Sequence, residues 1–263
     1  MTAYKYILTE TADGVLTLTL NRPEKRNALT PELIGELTTA LNEAAESPCG
    51  VAILTGAGPA FCAGLDLDHL AALASHTREE NLRDSEHMAG LLRLVYDFPK
   101  PVIAAVNGPA VAGGMGLATI PDFTLAVPEA KFGYTEVRIG FVPAIVASFL
   151  LRQVGEKRAR DLLLTGRLIK AQEAHEMGLV TQVVSADQLM PAARTLAQSL
   201  LENSPQAMRS VKELLARHAS RGLDEELADA VATNAKQRST DDFKEGVAAF
   251  LQHRRPAWPS RKP

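Results

Sequence analysis

The fold is decided by two glycine-rich segments, Leu54-Thr55-Gly56-Ala57-Gly58-Pro59-Ala60-Phe61-Cys62-Ala63-Gly64-Leu65-Asp66-Leu67 and Asn107-Gly108-Pro109-Ala110-Val111-Ala112-Gly113-Gly114-Met115-Gly116-Leu117. Each segment follows a compact apolar run, at residues 51–55 and 102–106, that is typical of a buried strand. Each also leads into a helical pattern. Strands that are joined through helices in this way predict an α/β fold.

The glycines let a ligand approach the main chain, and the first turn of a following helix presents free N–H groups with partial positive charge. Two such turns on neighbouring strands could aim two N–H groups at one developing oxyanion. Taken singly, each segment is better explained as a tight turn and a helix contact. The first lacks the Gly-Lys-Ser/Thr ending of a P-loop and the second lacks dinucleotide-fingerprint spacing, so ATP and NAD are not expected.

The remaining patterns extend the α/β prediction. Residues 15–20 alternate apolar and polar and form a hairpin with residues 7–9 across Asp13-Gly14. Thr30-Pro31-Glu32 marks the start of an amphipathic helix. Residues 68–96 have a polar middle, which predicts an exposed helix or a mobile loop that could gate a pocket.

Beyond about residue 157 the pattern is helical, with a short strand candidate at residues 180–184. We divide the chain into a core at residues 1–200 and a C-terminal helical region at residues 201–263, as layers of one domain.

Composition excludes several classes of protein. The 263 residues are 46% hydrophobic and 22% charged with a net charge of −3, so no positive field attracts nucleic acid. Cys49 and Cys62 are too few for a disulfide framework or a zinc site. The N-terminal residues lack a signal-peptide core and no apolar run is long enough to span a membrane. We therefore expect a cytoplasmic protein with no membrane partner.

Five further segments, together with the two glycine-rich ones and in this order along the chain, form a recognisable set: Asn21-Arg22-Pro23-Glu24-Lys25-Arg26-Asn27-Ala28-Leu29, Pro99-Lys100-Pro101-Val102-Ile103-Ala104-Ala105-Val106-Asn107-Gly108, Lys131-Phe132-Gly133-Tyr134-Thr135-Glu136, Glu245-Gly246-Val247-Ala248-Ala249-Phe250 and Arg254-Arg255-Pro256. Together they resemble the enoyl-CoA hydratase/isomerase family, also called the crotonase family. The resemblance covers nearly the whole chain. It is specific for the superfamily and less specific for the reaction.

The resemblance implies a crotonase-like spiral of ββα units that holds an acyl-CoA thioester, with the C-terminal helical layer building a homotrimer or a dimer of trimers. It implies no cofactor, since coenzyme A is part of the substrate, and no metal. The amides of Ala63 and Gly113 would form the oxyanion hole, and the helix that starts near Gly113 would direct its positive end at the thioester oxygen.

The resemblance also implies a substrate-binding surface. The main chain from Phe61 to Leu65 would line the path of adenine and pantetheine. Three arginines would meet the phosphates, and Phe250 of a neighbouring subunit would pack on the pantetheine arm. The residues implied in binding are Phe61, Cys62, Gly64, Leu65, Gly114, Arg26, Arg254, Arg255 and Phe250.

Glu136 lies where the family places an acid-base carboxylate, although composition alone would favour a surface glutamate paired with Arg138 or Lys131. Many hydratases of the family have a second glutamate, and here that position is Gly116, which cannot transfer a proton. The two-carboxylate mechanism is therefore in question. Residues 136–144 look most like single-glutamate hydratases of the methylglutaconyl-CoA type.

A second group could assist Glu136, and the candidates are Tyr134, Glu86 and His87, with Tyr134 on the same face if residues 134 and 136 share a strand. For Tyr134 core packing is the commoner role, and for the other two a solvated surface position.

Other polar residues have plainer explanations. Asp66 is expected to cap a helix or stabilise a turn. Cys62 has no histidine placed by motif to activate it, so we expect it to pack in the core. The leading hypothesis is an enoyl-CoA hydratase-type lyase. The alternatives are a Δ3,Δ2-enoyl-CoA isomerase and a non-catalytic acyl-CoA-binding protein.

Overall fold

The computed structural model describes residues 4–219, 222–257 and 259. The extreme ends of the two predicted regions, residues 1–3 and 260–263, lie outside the described residues. The strands are β1 (Ile7–Ala12), β2 (Val15–Leu20), β3 (Val51–Gly56), β4 (Val102–Val106), β5 (Ala110–Val111), β6 (Phe123–Ala126), β7 (Lys131–Gly133), β8 (Ile169–Lys170) and β9 (Gln182–Val183).

The strands form a large and a small sheet. The large sheet has the order β1-β2-β3-β4-β6-β9, in which β1 and β2 are an antiparallel hairpin and every later pairing is parallel. The small sheet has the order β5-β7-β8. Consecutive strands such as β4 and β5, or β6 and β7, enter different sheets before the next α-helix. This arrangement confirms the predicted α/β spiral of ββα units.

In the described part of the chain the sheets are surrounded by the helices α1 (Pro31–Glu46), α2 (Leu67–Leu73), α3 (Arg78–Tyr96), α4 (Gly113–Thr119), α5 (Ala144–Thr165), α6 (Ala171–Glu176), α7 (Leu189–Leu201), α8 (Pro205–Ala219), α9 (Leu223–Gln237) and α10 (Asp241–Leu251). The predicted start of α1 is confirmed, because the Thr30 side chain accepts a hydrogen bond from the Leu33 amide and Pro31 is the first helical residue. No helix in the described ranges is long and apolar enough to cross a bilayer.

The two glycine-rich segments lie directly against each other. The Cys62 amide donates to the Pro109 carbonyl at 3.1 Å, and the Val111 amide donates to the Cys62 carbonyl at 3.0 Å. A Cβ atom on Gly114 would lie 2.3 Å from the Cys62 carbonyl oxygen, so only glycine permits this approach. The segments therefore converge as the sequence predicted.

Asn27 holds the first glycine-rich segment in shape. Its fully buried side-chain amide donates to the carbonyls of Ala57 and Ala60 at 2.9 and 2.8 Å. Its φ of +55° lies in the left-handed region that asparagine tolerates better than most residues. The loop is thus fixed by a side chain from a neighbouring turn.

The polar segment at residues 68–96 forms helices rather than a mobile loop. Its polar middle is the first turn of α3, where Thr77 and Glu80 make a reciprocal capping box. The α3 helix packs against α1 and α9, which buries Asn81 and Ser85.

The C-terminal helical layer is confirmed. Within the chain, α9 contacts α3 and α5, and α10 contacts α2 and the short 3-10 helix Glu136–Ile139. The tail therefore closes over the core that precedes it. Its predicted use in trimer formation stays a prediction.

The contact at Gly114 generates a stability prediction. Gly114→Ala should destabilise the protein by about 3 kcal/mol, because the added carbon overlaps backbone that cannot move freely. Gly90→Ala is the matched control, since Gly90 is exposed within α3 and its Cβ would meet nothing within 4 Å. That change should stabilise the protein by about 1 kcal/mol. Urea denaturation of both variants measures the difference, and equal effects would contradict the close contact.

Candidate functional site

A cavity of about 460 Å³ lies between the glycine-rich segments and the C-terminal helices. Its walls come from both ends of the chain: from the first segment and α2, from the start of α4, from the 3-10 helix and the start of α5, and from α9 and α10. Most wall residues are apolar, among them Leu65, Leu70, Phe141 and Val146. Glu136 is the one carboxylic acid among the described residues that line it.

The start of α4 supplies a free donor to this cavity. Gly113 is the first residue of α4 and lines the cavity, and its amide donates to no carbonyl among the described residues. Ala112, just before it, has φ 52° and ψ −128°, a conformation that L residues rarely adopt. This strain sets the direction in which the helix begins.

The Ala63 amide is not free, and the prediction that it offers an oxyanion donor is wrong in this structure. Although Ala63 lines the cavity, its N–H donates to the Arg26 carbonyl at 3.0 Å. An amide that is already bonded to a carbonyl cannot also point at a substrate oxygen.

Leu65 presents the amide that Ala63 lacks. The Gly64 carbonyl accepts from the Leu29 amide at 2.7 Å, and the Asp66 amide donates to the Leu29 carbonyl at 2.9 Å. Because a trans peptide directs C=O and N–H to opposite sides, the Leu65 N–H points away from Leu29. It has no partner in the described part of the chain, and Leu65 lines the cavity.

Glu136 is buried in the cavity wall, at the first position of the 3-10 helix. Its Oε2 atom has no hydrogen-bond partner among the described residues. Burial among apolar side chains disfavours the charged form and raises the pKa of Glu136 to about 7. Neither Arg138 nor Lys131 pairs with it, so the surface alternative is excluded.

None of the predicted helper groups lines the cavity. β7 ends at Gly133, so residues 134 and 136 do not share a strand. Tyr134 is fully buried and its hydroxyl bonds Thr119, while burial raises its pKa. Glu86 and His87 are exposed on α3 outside the cavity.

Gly116 is buried at the contact of three helices. A Cβ there would lie 3.1 Å from Val146 of α5 and 3.4 Å from Leu92 of α3. The space beside Gly116, where the resemblance implied a second glutamate in other hydratases, is thus occupied by apolar side chains of neighbouring helices.

The other residues predicted from the two glycine-rich segments lie behind the cavity wall. Phe61, Cys62, Gly64 and Gly114 are buried and do not line the cavity. Burial raises the pKa of the Cys62 thiol to about 12, which suits a packing residue and excludes a thiolate nucleophile at neutral pH.

Asp66 caps α2, as predicted. Its carboxylate accepts from the Asp68 amide and pairs with Arg22 at 3.0 Å. No cluster of three or more His, Cys, Asp or Glu side chains that could bind a metal occurs within the described ranges.

Of the basic and aromatic residues predicted to bind coenzyme A, two lie at the cavity. Phe250 and Arg254 line it, and they belong to the same chain as Glu136. Arg254 is held by Glu245 through two hydrogen bonds of 2.6 and 2.8 Å. Arg26 and Arg255 are exposed away from the lining.

Two further polar residues line the cavity, Asn234 in α9 and Arg238 directly after its end, and neither was predicted from the sequence. Arg238 is 2% exposed and pairs with Asp84 of α3 at 2.7 Å. No motif marks either residue, because α9 has an ordinary helical pattern and its contact with α3 joins residues some 150 positions apart.

Known proteins share this architecture. Residues 10–261 match the family model of enoyl-CoA hydratase/isomerase. A Thermus thermophilus protein with the provisional name enoyl-CoA hydratase is 46% identical over 244 residues, which cover 92% of this chain and 96% of that protein. The 2,3-dehydroadipyl-CoA hydratase of Escherichia coli K12 is 35% identical, over 94% of this chain and 96% of that protein.

Solved structures of other proteins have the same fold as this chain. The crystal structure of an enoyl-CoA hydratase/isomerase from Xanthobacter autotrophicus Py2 superposes with a TM-score of 0.89 at 31% identity, over 99% of this chain and 100% of that chain. A cavity that joins a free helix-N-terminal amide to one buried carboxylic acid is thus set in a crotonase fold, and the chain belongs to the enoyl-CoA hydratase/isomerase family.

Proposed function

We propose that the protein adds water to the α,β double bond of an enoyl-CoA thioester, or removes it from the hydrated product. The observation that carries this proposal is the buried carboxyl of Glu136, whose Oε2 has no hydrogen-bond partner among the described residues, in the same cavity as the free amide of Gly113. The names of the matching relatives refer to enoyl-CoA hydration or isomerisation, which supports the substrate class.

In this proposal the thioester oxygen lies between the amides of Gly113 and Leu65. When a nucleophile attacks the β-carbon, the electron pair of the double bond moves toward that oxygen and an enolate forms. Two N–H donors already oriented in a water-poor cavity stabilise this charge without reorganisation. The positive end of α4 contributes in the same direction.

Glu136 carries the proton. Its carboxylate removes a proton from water while the water oxygen bonds to the β-carbon, and the carboxylic acid then protonates the α-carbon of the enolate. One water is consumed, and Glu136 ends in its starting state. A pKa of about 7 suits this exchange, because neither protonation state is strongly disfavoured near neutral pH.

One observation also favours a second candidate. Since Glu136 is the one acid lining the cavity in the described residues, the same site could move a proton between the α- and γ-carbons of a 3-enoyl-CoA. This Δ3,Δ2-isomerisation needs one base and no water. A third candidate is acyl-CoA binding without a reaction. Binding alone does not require a carboxyl group whose pKa is raised toward neutral pH, so the burial of Glu136 does not favour this candidate.

The two reactions are separated by incubation with crotonyl-CoA and with 3-hexenoyl-CoA. Hydration predicts loss of the enoyl-thioester absorbance from crotonyl-CoA, and isomerisation predicts its gain from 3-hexenoyl-CoA. Activity on the second substrate alone would overturn hydration in favour of isomerisation. Binding of both esters with no turnover of either would overturn both reactions.

Glu136→Gln should lower turnover by roughly 10² or more, the usual effect of losing a general acid-base group. The control is Glu129→Gln, which removes an exposed carboxylate outside the cavity and should leave turnover unchanged. An undiminished rate for Glu136→Gln would remove this residue from the mechanism.

The pH dependence of hydration should report the same group. Because the base form of Glu136 starts the reaction, kcat/KM should fall tenfold per pH unit below about 7 and level off above it. A profile that stays flat down to pH 5 would contradict a base with a raised pKa.

Burial of Glu136 also predicts a pH-dependent stability. The folded protein holds the proton up to about pH 7, whereas the unfolded chain releases it near 4.5, so rising pH destabilises the fold between these values. Glu136→Gln should therefore stabilise the protein at pH 8, on the order of 3 kcal/mol, and have little effect at pH 4. Urea denaturation at both values measures the difference, with Glu129→Gln as control; equal effects at both would contradict the buried position.

A further inference from the structure

Polar atoms without partners lie on the α9 wall of the cavity. Arg238 is 2% exposed and Asn234 is 5% exposed, yet the Nε of Arg238 and the Oδ1 of Asn234 have no hydrogen-bond partner in the described ranges. Both residues line the cavity that contains Glu136. Buried polar atoms are almost always hydrogen-bonded, so two such atoms without partners on residues that line a cavity indicate a ligand with polar atoms.

The charge of Arg238 is only partly matched by its neighbour. Its Nη1 donates to Asp84 at 2.7 Å and to the Asn81 carbonyl at 3.1 Å. The other oxygen of Asp84 lies 2.7 Å from His69 Nε2, so one carboxylate serves two partners. Burial alone would raise the pKa of Asp84, but the bond from His69 and the charge of Arg238 lower it.

The remaining surroundings of Arg238 are apolar. Its guanidinium lies 5.5 Å from the ring centroid of Phe141, whose ring is 5.2 Å from that of Phe243. Phe141 also links this region to the acid, because its amide donates to the Glu136 carbonyl at 3.0 Å. A fixed cation in such surroundings favours an anion strongly over an alkyl group.

Arg238 differs from the other arginines of the cavity. Arg138 and Arg254 are both exposed to solvent. Arg254 is also paired with Glu245. Exposed arginines suit the phosphates of coenzyme A, which stay near water. A fully buried arginine suits a group that is carried into the cavity by the acyl chain.

We propose that the acyl chain of the substrate carries a carboxylate, which binds the free Nε–H of Arg238 and the side-chain amide of Asn234. This inference rests on the proposed acyl-CoA function and names its substrate class. The Asn234 amide can donate to the carboxylate, because rotating its terminal group by 180° exchanges oxygen and nitrogen. A methyl-terminated chain would remove water from both groups and leave them unpaired.

The test is a binding measurement that needs no turnover. Saturated acyl-CoA esters with a terminal carboxylate and with a terminal methyl are compared at four, six and eight carbons, for example adipoyl-CoA with hexanoyl-CoA. For at least one length the carboxylate ester should bind about tenfold or more tightly. Equal or weaker binding at every length would overturn the proposal, as would equal preference for a 6-hydroxyhexanoyl ester.

Two variants assign the preference to the named residues. Arg238→Met should reduce it at least tenfold, and it is combined with Asp84→Asn so that no carboxylate is left buried and unpaired. Asn234→Leu leaves the Arg238–Asp84 pair intact and should also weaken the preference. Retention of the full preference in both the double variant and Asn234→Leu would overturn the assignment.

Arg93→Met is the matched control. Arg93 also joins α3 to α9, through Asp224 at 2.6 Å, but it lies outside the cavity. Its removal should leave the preference unchanged, whereas an equal loss would show that helix docking alone is responsible and would overturn the proposal. A carboxylate preference without hydration of any ester would refute the proposed reaction and leave this inference standing.

Discussion

The structure depends on the direct backbone contact between the two glycine-rich segments. Cys62 pairs with both Pro109 and Val111, and Gly114 lies where any side chain would overlap the Cys62 carbonyl. Because of this contact, the first turn of α4 starts beside the residues that follow β3. The free amides of Leu65 and Gly113 then open into one cavity, although 48 residues separate them.

The same contact decides which amides are free. In the first segment the amides of Ala63 and Asp66 both donate to carbonyls of the turn at residues 26–29. Leu65 lies between them with its N–H on the opposite side. The loop thus satisfies its own backbone on one side and leaves a donor for a ligand on the other.

The helical tail gives the cavity its chemical character. Residues of α9 and α10 complete the wall of the cavity in which burial raises the pKa of Glu136. The same layer inserts Arg238, whose charge is shared with Asp84 and faces the ring of Phe141. The cavity therefore combines a carboxylic acid whose pKa is about 7 with a charged arginine, and most of its other wall residues are apolar.

Much of this was predictable from local sequence. The hairpin, the capped start of α1, the buried parallel strands and the helix at Gly113 all follow from patterns within a few residues. The importance of Glu136 followed from family resemblance, whereas its burial required the fold. The choice between Ala63 and Leu65 was out of reach, because it depends on which side of the loop the turn at residues 26–29 occupies.

Strand patterns, helix caps and glycine spacing act over short range, so the α/β architecture, the two glycine turns and the candidate acid could all be found from local sequence and family resemblance. Which amides stay free, what fills the space beside Gly116, and that Arg238 reaches the cavity became visible only in the folded chain. These features arise where segments far apart in the chain come into contact, and no local pattern encodes which partner each backbone or side-chain group will meet.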